Sequence, residues 1–138
     1  DEDTNALIFS AMKICLKAAD ISHPTKPLPL HRRWTALLTE EFFLQGDEER
    51  RLGWAVAPPY CRESTDLAES QQGFINFLVK PLFASWVKYI NTDEAACVTD
   101  NLENNLEYWK QRGEEERKKK REETGEDLSR APEEQLPN

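Results

Sequence analysis

A chain of 138 residues suits one domain, and a compact fold of that size buries about two-thirds of its unfolded surface. Asp and Glu outnumber Lys and Arg by 26 to 18, a formal net charge of −8. That balance argues against a nucleic-acid partner, because neutralising phosphates takes a surplus of cations. No apolar run approaches the ~18 residues of a membrane span, and no charged and apolar leader is visible, so no membrane partner is expected. The three cysteines, Cys15, Cys61 and Cys97, are odd in number and widely spaced, which fits neither a disulfide framework nor a zinc ribbon. They point to a reducing, cytoplasmic compartment.

The chain opens Asp1-Glu2-Asp3 without a Met and runs straight into a helix, so it reads as a piece of a longer polypeptide. From Asn5 to Ala19, Leu7, Ile8, Ala11, Met12, Cys15 and Ala19 recur at three- and four-residue steps, which predicts a well-buried helix with Thr4 or Asp3 as cap. Pro24 disfavours helical geometry at His23 and ends that helix. Three prolines between Pro24 and Pro29 then make a stiff loop. Leu30, Trp34, Leu37, Leu38 and Phe42 mark the apolar face of an amphipathic helix closing near Gly46, with Arg32, Arg33, Thr39 and Glu40 opposite. Asp47 to Leu52 can add a turn that Gly53 stops.

Ser64 can cap a further helix in which Leu67, Gln71, Phe74, Ile75 and Leu78 share a face. Pro81 is expected to break or kink it, with Leu82, Trp86, Tyr89 and Ile90 continuing on a new segment. Asp93 is expected to cap a last helix carrying Val98, Leu102, Leu106 and Trp109. No stretch alternates with period two, so the fold class is all-α. Beyond Gly113 nearly every residue is charged or polar, which leaves too little apolar area to offset ordering entropy. The predicted division is therefore a helical domain over residues 1–112 and a disordered, charged tail over 113–138.

Two stretches could carry chemistry. In Lys17-Ala18-Ala19-Asp20-Ile21-Ser22-His23-Pro24 a helix ends in a carboxylate, a hydroxyl and an imidazole; the pattern suits a metal or cationic ligand, but on pattern alone it is more often a solvated turn. In Glu69-Ser70-Gln71-Gln72-Gly73-Phe74, Gln71 and Phe74 lie three apart and share a helix face. An amide that donates and accepts, beside a flat ring, can read the edge and plane of a heterocycle. The same pair can instead be core packing with a bonded Gln. Gly73 between them weakens the helix by about 1 kcal/mol relative to Ala, a cost explained if something approaches the backbone there. His31, at a helix start, reads as a surface or capping residue. Glycine-rich phosphate loops, HExxH, CxxC and Gly-x-Ser-x-Gly are all absent, and two histidines cannot build a multi-histidine metal centre.

Ala18-Ala19-Asp20-Ile21-Ser22-His23-Pro24, Trp34-Thr35, Glu40 to Asp47, Ser70-Gln71-Gln72-Gly73-Phe74-Ile75 and Leu106-Glu107-Tyr108-Trp109 together resemble one family in order and spacing. It is the class I cyclic nucleotide phosphodiesterases, in the C-terminal half of their catalytic domain, and most closely the calmodulin-activated class. The resemblance implies an all-α domain that hydrolyses cAMP or cGMP to the 5′-nucleotide over two divalent metals, zinc and magnesium, or manganese. A bridging hydroxide would attack phosphorus and a histidine would protonate the departing 3′ oxygen. By motif, Asp20 matches a zinc ligand, Gln71 the purine-binding glutamine and Phe74 the ring that stacks on the base. His23 matches a position facing the purine, in the form resembling that of enzymes accepting both nucleotides. Trp34, Thr35 and Leu38 fall on a helix lining the same pocket.

The chain departs from the family at Lys17, where a histidine is usual, and at Cys61-Arg62-Glu63-Ser64, which is one residue short and lacks an aspartate. The remaining metal ligands and the general-acid histidine belong to an upstream half, as do the family's calmodulin-binding segments. One carboxylate does not hold zinc, which takes about four ligands. The expectation is thus a fragment that carries base recognition, has no general acid of its own, is inactive alone, and has the absent N-terminal half as its partner. The alternative is a non-catalytic, truncated helical interaction module that exposes apolar faces. The enzymatic reading requires Asp20 and Gln71 to face a common space.

Overall fold

The computed structural model of the chain describes residues 2–90 and 92–124. Helix α1 spans Glu2–Asp20, a short 3-10 turn covers His23–Thr25, and α2 spans Leu28–Arg51. A second 3-10 turn, Pro58–Tyr60, leads to α3, Leu67–Phe74, which runs through a π-helical segment, Ile75–Val79, into α4, Lys80–Ile90. The long α5, Asp93–Thr124, closes the order, and no strand occurs among the described residues, in line with the all-α expectation.

The core forms where α5 lies along α3 and α4. Ala68, Ile75, Val79 and Phe83 from α3 to α4 meet Leu102, Leu106 and Trp109 of α5, and Ala18 is the one buried residue of α1. The steps of four between Ile75, Val79 and Phe83 keep these side chains on one line across the π segment. Of the break or kink expected at Pro81, the chain shows a local distortion of a continuous helix, with a new α-helical segment following. The proline ring removes a backbone donor, and the preceding turn widens: the Lys80 N–H reaches back five residues to the Ile75 carbonyl.

Two glycines near expected segment ends, Gly46 and Gly113, are close-approach points within helices. Helix α2 continues past Gly46 to Arg51, because Gly46 is where the Tyr60 carbonyl presses against the helix; a Cβ there would overlap that oxygen. Gly53, with φ +75°, is the actual terminator. At the other end α5 passes through Gly113 to Thr124, so the expected boundary at residue 112 does not coincide with a helix end. A Cβ at Gly113 would sit 3.3 Å from the Ala68 methyl, which explains a glycine where α3 crosses α5. The rest of the expected tail, 125–138, lies outside the described residues.

Other expectations change as well. Asp66, not Ser64, caps α3, its carboxylate accepting the Glu69 N–H at 2.9 Å. Helix α5 begins at Asp93 as expected, while the cap contact expected of its side chain lies outside the described residues, as does the Tyr89 side chain. Helix α1 is not well buried: Leu7 is 73% and Leu16 74% exposed, and Ile8, Phe9 and Met12 are also open. Helix α2 turns a different face inward from the one its apolar residues marked. His31, Thr35 and Gly46 are buried, while Leu30, Trp34, Leu37 and Phe42 remain exposed.

Candidate ligand pocket

On α2, Thr35, Leu38, Thr39 and Phe42 form one wall of a cavity of about 490 Å³. Gln71, Phe74, Phe77 and Leu78 from α3 and the π segment form the facing wall, with Pro59 and Thr65 at the rim. Gly73 also lines it and has open space where a Cβ would project. The rim is stapled to α2 by Arg62, which bonds Glu40 at 2.8 and 3.1 Å and Asp47 at 3.0 Å, with its guanidinium over the Phe43 ring. The size falls within the range of small-molecule sites, and the lining is mostly apolar with a few polar groups that can fix orientation.

His23 enters the cavity from the turn between α1 and α2. Asn105 of α5 donates to the Pro24 and Lys26 carbonyls at 2.7 and 2.8 Å, and Asn101 donates to the Thr25 carbonyl at 3.0 Å. These amides satisfy a turn that prolines leave poor in backbone donors, and so fix where His23 stands. Its ring lies nearly parallel to Phe74, centroids 5.5 Å apart and planes 15° off. Behind it His31 is fully buried, its Nδ1 3.0 Å from His23 Nδ1, while its Nε2 accepts the indole N–H of Trp109 at 2.7 Å. His31 is thus an interior residue rather than a surface cap. Burial pushes both imidazoles down to about 4, aided by Lys26 at His23 and by His23 at His31.

Gln71 accepts a hydrogen bond from the Thr35 hydroxyl at 3.4 Å, a long contact that joins the two walls. Neighbouring Gln72 turns away, its amide donating to the Ala68 and Trp109 carbonyls. Of the residues singled out from the sequence, His23, Thr35, Leu38, Gln71 and Phe74 line this one cavity. Trp34 does not: it lies one position, about 100° of helix, from Thr35 and is half exposed. Asp20 does not either; it is exposed at the end of α1 in a separate, open depression with Lys13, Leu16, Lys17 and Ala19.

No group of three or more His, Cys, Asp or Glu that could hold a metal occurs among the described residues. Asp20 with a lysine one turn back falls short of the ligand set zinc takes, and so these residues alone do not fit a metal centre. Sequence reasoning missed His31, Asn101 and Asn105. The available signal was two asparagines four apart in a helix interior, where their propensity is poor and a specific hydrogen-bonding role is the simplest reason for them.

The cavity sets aromatic rings and an amide in a largely apolar lining, an arrangement with room for a flat, partly polar small molecule. The profile of the 3′5′-cyclic nucleotide phosphodiesterases matches residues 1–102, and the chain belongs to that family. It is 48% identical over 91 residues, 66% of its length, to 3′,5′-cyclic-AMP phosphodiesterase isoform F of Drosophila melanogaster. It is 40% identical over 104 residues, 75% of its length, to 3′,5′-cyclic-AMP phosphodiesterase 4C of Mus musculus. The solved structure of LmjPDEB1 in complex with IBMX superposes with a TM-score of 0.65 and 34% identity over 72% of the chain. The match spans 14% and 15% of those two relatives and 30% of that solved chain.

Proposed function

We propose that these residues form the base-recognition part of a metal-dependent enzyme that hydrolyses cAMP and cGMP to 5′-nucleotides and so ends cyclic nucleotide signalling. The observation that carries this reading is the convergence of Gln71, Phe74 and His23 on one cavity in a chain of this family. In it the base lies against the Phe74 ring, Gln71 hydrogen-bonds its polar edge, and Thr35 and Leu38 close the sides. Both nucleotides are included because His23 resembles the family form that accepts both; the likeness to the calmodulin-activated class rests on the ordered motifs as a set. A cytoplasmic location accords with cysteines that are all free among the described residues.

The metals of this reading are zinc and magnesium, or manganese, with Asp20 as the one ligand given from these residues; Asp20 and Gln71 lie in separate depressions of this chain, so the common space the reading requires would have to be completed by the N-terminal half. The other ligands and the general acid come from the N-terminal half of the catalytic domain, which would also cover the open apolar face of α1. That same face supports the second reading, a non-catalytic helical module that docks on a partner through Leu7, Ile8, Phe9 and Met12.

Hydrolysis assays on a chain that includes the N-terminal half separate the two. Asp20→Ala is expected to abolish turnover of both nucleotides. Gln71→Ala is expected to raise KM by roughly 5- to 100-fold, the loss from leaving a polar edge unpaired. The 138-residue chain alone is expected to hydrolyse neither. Equal rates for Asp20→Ala and its parent would remove that residue from the site, and unchanged kinetics for Gln71→Ala would remove the proposed base contact.

A further inference from the structure

The buried line Trp109, His31, His23 runs in one hydrogen-bonding direction, and it ends at the cavity. An indole nitrogen can only donate, so His31 Nε2, 2.7 Å from it, must present a lone pair. His31 is therefore neutral and carries its proton on Nδ1. At 3.0 Å that proton can go only to a lone pair on His23 Nδ1, since two N–H groups facing each other would repel. His23 is then also neutral, with its proton on Nε2. The ring planes of the two histidines are 14° apart with centroids at 5.0 Å. In water a histidine exchanges freely between its tautomers; here each bond in the line removes one choice.

We propose that Trp109 and His31 are positioning residues that lock His23 as the Nε2–H tautomer, so that the cavity wall carries a fixed donor for an acceptor on the ligand, a ring nitrogen or carbonyl oxygen. His23 Nδ1 is turned to His31 while the His23 ring lines the cavity, which leaves Nε2–H as its polar group for a ligand. Gln71 differs: its partner Thr35 has a hydroxyl that can donate or accept, so nothing in that contact fixes the amide. A ligand offering an amine hydrogen to His23 meets a donor against a donor; one offering a lone pair completes the line. The identity of the ligand as a purine nucleotide rests on the proposed function, whereas the locked tautomer does not.

The chain has only two histidines, so 15N-histidine labelling reads the whole line by NMR at neutral pH. The expected spectrum shows His31 protonated on Nδ1 alone and His23 on Nε2 alone. Trp109→Phe keeps an aromatic ring without the N–H and is expected to release both histidines into tautomer mixtures. His31→Gln, which retains one acceptor and one donor, should keep His23 locked, and His31→Leu should free it. A wild-type His23 protonated on Nδ1, carrying both protons, or averaging between tautomers overturns the proposal, as does a locked His23 in Trp109→Phe and His31→Leu alike. Adding cAMP or cGMP should shift the His23 Nε2–H signal while Nδ1 stays bare; a bound nucleotide that removes the Nε2 proton also overturns it. Absence of any shift from either nucleotide, with the wild-type tautomers as expected, counts against the purine reading and supports the lock.

Discussion

Along α1, Leu7, Met12 and Leu16 stand in solvent, whereas the groups sealed from water along α2 and α5 include His31, Thr35 and Asn105. Both regions are regular helices, and both were expected to bury their apolar stripe. The difference lies in what each helix meets. Helix α2 is held between the His23–Thr25 turn, the Pro58–Tyr60 turn and α5, and there hydrogen-bonding partners are available. The His31 and Thr35 side chains and the Asn105 Nδ2 group each find one, although Asn105 Oδ1 stays buried without a partner among the described residues. Among the described residues, helix α1 meets the core only through Ala18. Apolar pattern reports a capacity to be buried, and tertiary neighbours decide whether it is used.

The sharpest way to break that comparison is a core truncation set against an α1 truncation. Phe83→Ala, in the α3–α4–α5 core, is expected to cost about 3–5 kcal/mol in urea unfolding of the 138-residue chain. A loss under 1 kcal/mol would mean that the core does not hold the fold.

Acid should act on the polar interior next. His23 and His31 bind protons at about 4 in the folded chain and at 6.5 when unfolded, so between those values the unfolded state holds more protons. Stability from their burial is complete above pH 6.5 and is lost as pH falls towards 4, by an amount on the order of a few kcal/mol for the pair. Denaturation midpoints measured from pH 7.5 to 4 should fall through this window, and His31→Gln should flatten the fall. A flat profile in the parent would contradict the buried, neutral pair.

The smallest effect belongs to α1. Leu7→Ser should change stability by no more than about 0.5 kcal/mol, because the side chain loses little contact. It should also reduce self-association measured by light scattering, since it removes part of an exposed apolar face. A large destabilisation would show that this face is covered in solution, by a second copy or otherwise.

Helix positions were legible where local chemistry sets them: the 3.6-residue pattern of α1, α2 and α5, the stop at Gly53 and the proline turn after Asp20. Of the pocket, Gln71 and Phe74 were legible as a pair because their spacing alone puts them on one face. Their company, His23, Thr35 and Leu38, came from the family resemblance and not from spacing, and Trp34, named with them, does not line the cavity. His31 looked like a surface cap because nothing near it in sequence foretells Trp109, 78 positions away.

The sequence by itself determined that the chain is helical, that prolines end and restart its helices, and which residues could pair along one helix face, since these depend on backbone sterics and on neighbours within a turn. Only the tertiary structure decided that Gly46 and Gly113 are crossing points, that a π turn absorbs Pro81, and that His23 is held from behind by His31 and Trp109. It also set Asp20 in a depression apart from Gln71. Those outcomes depend on contacts between residues far apart in the chain, where burial, hydrogen-bond satisfaction and space are fixed by the neighbour that arrives.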